Sequence, residues 1–274
     1  MKPFILLLIA LTLVALAAGA DRVDVLVQGA EKLEVREIIA ALKPAPEKIS
    51  IGPFSFWRGK IGAHRVAVSL TGQGLLNCTT STILGIEEFQ PTLIVNQGTS
   101  GAQKPNYKVH DIIVGRRTLD YGNFITPVRR VGEGSRPLEW TPLSQRLRLL
   151  PAGELQAHPD GFPGDAAAIE VALHTENSLG RVVAGVIGSA HEVNLELDRV
   201  RWSARTFDMD VEEMESGHVA AIAHACGIRY VAFRVVSDAP YAGVPFHPEA
   251  ARATGLFTVN FLHNLPSVTA PTNP

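Results

Sequence analysis

The sequence predicts an α/β domain whose sheet is mostly parallel and is covered by helices on both faces. Short runs of valine, isoleucine and leucine alternate along the chain with amphipathic helical stretches. Near-continuous apolar runs of this kind are typical of strands that are buried on both sides. The 274 residues, 46% of them hydrophobic and 19% charged, are enough for one large globular domain or two small ones.

The first three strands and two helices are predicted from apolar periodicity and from the residues that end each element. Pro44 follows the first helix and Pro91 the second, and proline lacks the amide hydrogen that a continuing helix needs. The glycine-containing turns TGQG and GTSG follow the second and third strands. In order, these elements are a strand at 23–28, a helix at 33–42, a strand at 64–70, a helix at 75–89 and a strand at 92–97.

The remaining predicted elements lie on either side of a long irregular segment. Residues 122–167 are rich in proline and glycine, and such segments in α/β domains are often lids or binding loops. A surface connection with no chemical role is the alternative. Around this segment the sequence predicts strands at 111–121, 181–188 and 229–237, and a helix at 214–226 that Gly227 ends.

The first twenty residues have the layout of a cleavable secretory signal. Lys2 supplies the positive charge, residues 4–17 form a short apolar run, and small residues at 18–20 precede Asp21. The run is shorter than the roughly 20 residues of a membrane-spanning helix, although an uncleaved anchor is the alternative. We therefore expect a periplasmic or secreted protein with one domain at 21–265, a flexible tail at 266–274 and no stable membrane span.

Composition excludes several classes of function. The net charge of −2 argues against nucleic acid as a partner. Cys78 and Cys226 stand alone in apolar helical patterns, which favours two small buried side chains over a disulfide framework. The sequence contains no zinc-type Cys/His spacing and no glycine-rich phosphate loop after a strand. No metal and no cofactor are therefore expected.

Three carboxylates follow predicted strands, where ligands of open α/β sheets bind. Glu34 lies one turn into the helix after the first strand, Glu215 begins the helix at 214–226, and Asp238 follows the last strand. Each has an alternative explanation: an exposed helix charge for Glu34, a first-turn helix charge for Glu215 and an Asx turn before Pro240 for Asp238. The GTSG motif could likewise be only a tight strand-to-helix turn. Their joint occurrence at strand ends favours one shared site.

Five stretches of the chain resemble a known family when taken together. VQGAEKLEV, TGQG, VNQGTSGAQKPNYKVHDIIV, EEMESGHVAAIAHACGI and FRVVSDAP occur in this order. They resemble the successive motifs of the nucleoside phosphorylase superfamily, and most closely those of the 5′-methylthioadenosine/S-adenosylhomocysteine nucleosidases. The resemblance implies a three-layer α/β/α sandwich around a mixed, mostly parallel sheet. It also implies a homo-oligomer that binds a small purine nucleoside.

The resemblance gives each acidic residue a role in cutting an N-glycosidic bond. Bond cleavage builds positive charge on ribose and negative charge on the departing base, so an acid must protonate the base. Asp238 matches the family's acid, which serves purine N7, and Glu34 matches the base that activates water. Glu215 matches the residue that holds the ribose hydroxyls. The other substrate-binding positions that the resemblance implies are Thr99, Gly101, His191, Glu192, Met214 and Ser237.

Two ionisation states follow from these roles. Glu215 lies near a helix N-terminus, where the helix dipole is expected to keep its carboxyl ionised. Asp238 needs partial desolvation or a neighbouring hydrogen bond to hold the proton that it delivers.

Hydrolysis is favoured over phosphorolysis, since Glu31 and Glu34 at the first glycine turn would repel phosphate and Arg36 is expected on another helix face. Three features depart from the nucleosidase pattern. Glu31 and Gln73 replace apolar residues of the alkylthio pocket, and His191 stands where an aromatic residue commonly stacks on the base. The expected export is the third departure. The alternatives are a phosphorylase and a non-catalytic nucleoside-binding or storage protein on the same fold.

Overall fold

The computed structural model describes residues 22–148, Gly153 and residues 155–267. The expected signal at 1–20 and the tail from residue 268 onward lie outside the described residues. The strands are β1 Val25–Gly29, β2 Lys43–Ile51, β3 Phe54–Ile61, β4 His64–Leu70, β5 Leu93–Ala102, β6 Ile112–Asp120, β7 Phe124–Ile125, β8 Thr141–Pro142, β9 Gln145–Arg148, β10 Leu155–His158, β11 Phe162–Pro163, β12 Val182–Ser189, β13 Val211–Glu213 and β14 Arg229–Asp238. The α-helices are α1 Lys32–Ala41, α2 Gly74–Phe89, α3 Ala166–Leu173, α4 Leu197–Phe207, α5 Ser216–Ala225 and α6 Ala250–Asn264.

Ten strands form one mixed sheet in the order β11-β6-β12-β13-β5-β1-β4-β3-β2. Strand β14 pairs with both β5 and β6, so that β5, β14, β6, β12 and β13 close into a ring. The pairs β4–β1–β5–β14 are parallel, and their carboxyl ends therefore meet at one edge of the sheet. The pairs β5–β13 and β14–β6 are antiparallel. This mixed α/β fold confirms the predicted fold class.

Helices cover both faces of the sheet because alternate strand residues point to opposite sides. On one face α1, α3 and α6 pack on a cluster that includes Val25 and Val27. On the other face α2 and α5 pack on a cluster that includes Leu26 and Ile94. The two clusters use neighbouring residues of the same strands. Both faces of the central strands are therefore buried, as their apolar sequences predicted.

Several segments were not predicted as regular structure. The hairpin of β2 and β3 forms the antiparallel edge of the sheet, where β2 is largely exposed and carries two prolines. Its sequence KPAPEKISI therefore lacks the apolar run that identified the central strands. The helices α3, α4 and α6 and the short strand β13 were missed as well. Helix α6 buries nine of its 15 residues. Its small and polar side chains are thus packed in the core, although the sequence pattern indicated no helix there.

The prediction that GTSG is a turn after the third strand is wrong. Gly98 to Gly101 lie inside β5, where they pair with residues 234–238 of β14. The sheet extends there because β14 and β13 both reach this end of β5. The TGQG motif is a turn as predicted, since Gly72 and Gly74 have φ angles of 77° and 84°. Only glycine adopts such angles without strain.

The irregular segment at 122–167 contains short antiparallel pairs, β7 with β8 and β9 with β10. Phe124 in β7 packs on Trp140, on Trp202 and on Phe207, with ring centroids 5.7 to 6.3 Å apart. These aromatic contacts fasten the segment to α4. Its role as a lid or as a plain connection stays a prediction.

Within the described residues, no helix is both long enough and apolar enough to cross a membrane. Cys78 is buried in α2, Cys226 is partly buried after α5, and both are free thiols.

Candidate active site

Glu34 is a buried carboxylate in the first turn of α1. Its Oε2 accepts hydrogen bonds from the backbone amides of Ala30 at 2.7 Å and Glu31 at 3.0 Å. Its Oε1 accepts a bond from the amide of Thr99 at 2.9 Å. The side chain thus bridges the turn after β1 and the middle of β5. With 4% of its surface exposed, Glu34 is not the solvated helix charge of the alternative explanation.

The environment of Glu34 favours its protonated form relative to a carboxyl in water. Burial raises the pKa of Glu34, and the amides of Glu31 and Thr99 only partly oppose this. A Cβ on Gly98 would lie 2.7 Å from Oε1 of Glu34. Glycine at position 98 therefore leaves room for the carboxyl to reach the strand. A carboxyl with a raised pKa can act as a base near neutral pH.

Glu215 is the N-cap residue of α5 and faces the second glycine turn. The amide of Gly74 donates a hydrogen bond to Oε1 of Glu215 at 2.7 Å. Burial, followed by the negative charge of Glu213, raises the pKa of Glu215 to about 8. The expectation that the helix dipole keeps this carboxyl ionised is wrong. A dipole effect is small beside the cost of a second buried negative charge.

Glu213 and Arg234 form a buried ion pair that was not predicted. Arg234 lies in the middle of β14, and its Nε donates to Oε2 of Glu213 at 3.0 Å. Its Nη1 donates to the carbonyls of Asn96 and Phe233, and its Nη2 to the side chains of Asn96 and Glu213. The positive charge of Arg234 opposes burial and lowers the pKa of Glu213. An arginine within the apolar run YVAFRVV was the sequence signal for this pair.

Asp238 ends β14 and is partly buried beside Ser237. The hydroxyl of Ser237 lies 2.9 Å from Oδ1 of Asp238 and 3.0 Å from the carbonyl of Ser100. Burial raises the pKa of Asp238, which agrees with the predicted need for desolvation. If Ser237 donates its single proton to Oδ1 of Asp238, the proton of the neutral acid is carried by Oδ2. The following 3₁₀ turn has Ala239 as its N-cap, so Asp238 does not cap it.

Gly101 separates two acidic side chains from neighbouring strands. A Cβ at this position would lie 2.8 Å from Oδ2 of Asp238 and 3.5 Å from Cγ of Glu212. In the sheet, Gly101 pairs with Glu212 of β13 on one side and with Asp238 of β14 on the other. The missing side chain therefore leaves room for the Asp238 carboxyl to lie against β5.

The segment from Ala190 to Asn194, here called the base-side loop, follows β12. Nε2 of His191 accepts a hydrogen bond from the amide of Leu75 at 3.0 Å, which places the ring against the TGQG turn. The carboxylate of Glu192 pairs with Arg199 of α4 at 3.1 Å. The predicted stacking of His191 on a base, the contact of the Glu192 backbone and the substrate contact of half-buried Met214 stay predictions.

The structure brings the three predicted carboxyls to one edge of the sheet. Glu34 and Asp238 approach the same four-residue stretch of β5, at Gly98 and at Gly101. The charge of Glu34 is also close enough to raise the pKa of Glu215. Thr99 donates its backbone amide to Glu34, and the Ser237 hydroxyl lies 2.9 Å from Oδ1 of Asp238. Their predicted contacts with a substrate stay predictions. Glu34 and Asp238 thus lie against a short glycine-rich stretch of strand, and Glu215 is near enough to Glu34 for their charges to interact.

Comparisons with known proteins identify the sequences and structures that this chain resembles. A sequence model described as the phosphorylase superfamily matches residues 24–255. The 5′-methylthioadenosine/S-adenosylhomocysteine nucleosidase of Tolumonas auensis is 24% identical over 195 residues, which cover 70% of this chain and 76% of that protein.

Solved structures show the same fold. The nucleosidase of that name from Neisseria meningitidis, in complex with methylthio-immucillin-A, has a TM-score of 0.69 at 23% identity. The match covers 88% of this chain and 99% of the other. Futalosine hydrolase of Helicobacter pylori has a TM-score of 0.68 at 17% identity, and the match covers 87% of this chain and 97% of the other.

Proposed function

This chain belongs to the phosphorylase superfamily, and on that premise we propose that it hydrolyses the N-glycosidic bond of a purine nucleoside. Candidate substrates are 5′-methylthioadenosine, S-adenosylhomocysteine and adenosine. The observation that supports the proposal is that Glu34 and Asp238 lie against the same stretch Gly98–Gly101, while the charges of Glu34 and Glu215 interact. The relatives named as nucleosidases support the same reaction.

Asp238 is the acid of the proposed reaction. As the bond between C1′ and the purine nitrogen breaks, the bonding electrons go to the base, and the Asp238 proton goes to purine N7. Burial keeps this carboxyl protonated to higher pH than a solvated aspartate. Ser237 holds the carboxyl through Oδ1, and Oδ2 lies next to Gly101.

Glu34 is the base, and Glu215 binds the sugar. Glu34 accepts a proton from water as the water oxygen bonds to C1′, and this proton replaces the one that Asp238 gives up. The Thr99 hydroxyl, 3.3 Å from Oε1 of Glu34, lies beside the same oxygen. Glu215 uses Oε1 for the Gly74 amide, and its other oxygen can bind a ribose hydroxyl.

Water is favoured over phosphate as the nucleophile. Arg234 is the cation that opposes the charges of Glu213, Glu215 and Glu34, but all five of its N–H groups already have protein acceptors. Arg36, which directly follows the first glycine motif, pairs with Glu37 on the exposed side of α1. Neither guanidinium is free to bind phosphate beside Glu34.

The test is release of free purine from 5′-methylthioadenosine, S-adenosylhomocysteine, adenosine and inosine, each with and without phosphate. We expect free ribose or a ribose derivative as the second product, at a rate independent of phosphate. Ribose 1-phosphate formed only with phosphate would establish a phosphorylase instead. Binding of these nucleosides without any cleavage would establish the binding or storage protein.

We further propose that the protein is exported and self-associates. Export rests on the signal-like residues 1–20, and its test is the N-terminal sequence of the protein recovered from outside the cytoplasm.

Self-association rests on exposed apolar side chains near the site: Leu76, Val193 and Leu195 have exposed fractions of 76%, 70% and 70%. The Leu75–His191 hydrogen bond puts these side chains in one region. Sedimentation of the wild type and of Leu76→Asp tests it, and an unchanged mass would exclude this surface.

A further inference from the structure

We infer that Glu212 is a positioning residue, which fastens the base-side loop to the strand beside Asp238. The inference rests on the proposed function, since it concerns the side of the site where a purine would bind. Glu212 precedes Glu213 in β13 and was not among the predicted site residues. Its side chain contacts both the loop and the space beside the proposed acid.

The carboxyl of Glu212 holds the end of the base-side loop through two bonds. Oε1 accepts a hydrogen bond from the backbone amide of Asn194 at 2.7 Å, and Oε2 accepts one from its side-chain amide, also at 2.7 Å. Tyr121, just after β6, donates its hydroxyl to the same Oε2 at 2.8 Å. Asn194 also donates to Tyr121 at 3.1 Å. These three residues form a closed buried network.

The stem of the same side chain forms part of the wall of the site. Cγ of Glu212 lies 3.5 Å from the point where a Cβ of Gly101 would be, and Oδ2 of Asp238 lies 2.8 Å from that point. Movement of Glu212 would therefore change the packing around Gly101, next to which the Asp238 carboxyl lies. The next residue, Glu213, holds Arg234 and, through Glu215, reaches the proposed ribose side.

The loop is also attached near its start, at His191. His191 accepts a hydrogen bond from Leu75 at the start of α2, while Asn194 is held by Glu212. Residues 191 and 192, the predicted contacts of the base, lie at or between these two attachments. Loss of the Glu212 attachment would loosen the end of the loop beyond Glu192, which Arg199 still holds, and would lower the affinity of the loop for a base, while the ribose side kept its contacts.

The free-energy cost of burying the Glu212 carboxyl also points to a positioning role. The residue is 5% exposed, and burial raises the pKa of its carboxyl to about 7. A buried carboxyl is often replaceable by apolar side chains without loss of stability, so stability alone is a weak reason to keep one. Three directed acceptor bonds, by contrast, fix the geometry of a loop.

The experiment compares Glu212→Gln with Asp210→Asn, a matched control two residues earlier. Asp210 is equally buried and also accepts one backbone amide, that of Val186 at 2.7 Å, and one tyrosine hydroxyl, that of Tyr107 at 2.8 Å. Unlike Glu212 it also pairs with a lysine, Lys104, at 2.8 Å, so its replacement tests a perturbation at least as large. It does not bond the base-side loop. In each variant an amide group replaces one acceptor oxygen and faces donors, so both should lower the melting temperature.

The readouts are the dissociation constants of adenine and hypoxanthine and, for the substrate that wild type cleaves, KM and kcat. We expect Glu212→Gln to weaken base binding and raise KM by roughly tenfold or more, as for loss of a bond to a charged group, and Asp210→Asn to leave both within about twofold. Asn194→Ala, which keeps the backbone bond, should weaken base binding less than Glu212→Gln does. It also provides the test if Glu212→Gln fails to fold.

Equal effects of the Glu212 and Asp210 variants on base binding would overturn the inference, as would unchanged binding in Glu212→Gln or in Asn194→Ala. Failure of wild type to bind either base would overturn it too. If wild type binds a base but cleaves no nucleoside, the proposed hydrolysis fails, and the binding comparison still decides the role of Glu212.

Discussion

The backbone amide of Gly74 donates a hydrogen bond to Oε1 of Glu215 across 2.7 Å, although the two residues are 141 positions apart in the chain. The bond joins the turn after β4 to the start of α5. A Cβ on Gly74 would lie 2.5 Å from Nε2 of His191, so this glycine contacts the proposed ribose side and the base-side loop together. The glycine turn is thus part of the site wall.

Glu215 should make the stability of the protein depend on pH. In the folded chain its carboxyl holds a proton up to pH about 8, whereas the ordinary carboxyl pKa is 4.5. Between these values the folded state binds more protons than the unfolded state, so the free energy of unfolding falls as pH rises. We expect Glu215→Gln to flatten the decline in melting temperature between pH 5 and pH 8. Parallel profiles of wild type and variant would contradict the raised pKa.

Replacing the proposed acid should slow the chemical step. Asp238→Asn keeps the size of the side chain but cannot donate a proton to a departing base. We expect kcat for purine release to fall about 10²- to 10⁴-fold with a small change in KM, measured at saturating substrate. Ser237→Ala is the control for loss of the neighbouring hydrogen bond, with a smaller expected loss. Normal turnover by Asp238→Asn would remove Asp238 as the acid.

Replacing the proposed base should also lower kcat. Glu34→Gln retains one acceptor oxygen for the amides that now bond the carboxyl but cannot take a proton from water. We expect at least a 10²-fold fall in kcat for hydrolysis. Glu37→Gln, on the same helix and paired with Arg36 and Arg252 near the surface, should keep full activity. Equal activities of the two variants would exclude Glu34 as the base.

A methyl group at Gly101 should interfere with the acid directly. In Gly101→Ala the added carbon would lie 2.8 Å from Oδ2 of Asp238, so the carboxyl must shift. We expect purine release to fall at least tenfold, because small misplacements of a catalytic group are costly. The Gly101→Ala, Asp238→Asn double variant should lose less than the product of the two single losses. Fully additive losses would show that Gly101 acts elsewhere.

Much of the candidate site could be predicted because its acidic residues lie at the ends of strands or shortly after them. Glu34 and Asp238 follow or end apolar runs, and the parallel pairing of β1, β5 and β14 brings those ends together. Arg234 and Glu213 were missed because each has its partner in a distant segment. The edge strand β2 was missed for the opposite reason: it is exposed, so its sequence carries little apolar signal.

The sequence by itself determined the alternating α/β order, the buried central strands and the acidic residues that follow them. These properties depend on neighbours within a few positions, which a local pattern records. Only the tertiary structure decided that Gly98–Gly101 belong to β5, that Glu213 and not Glu215 pairs with Arg234, and that burial beside Glu213 raises the pKa of Glu215. Strand pairing and carboxyl pKa values depend on burial and on charges brought together from distant parts of the chain, and no local stretch of sequence contains that information.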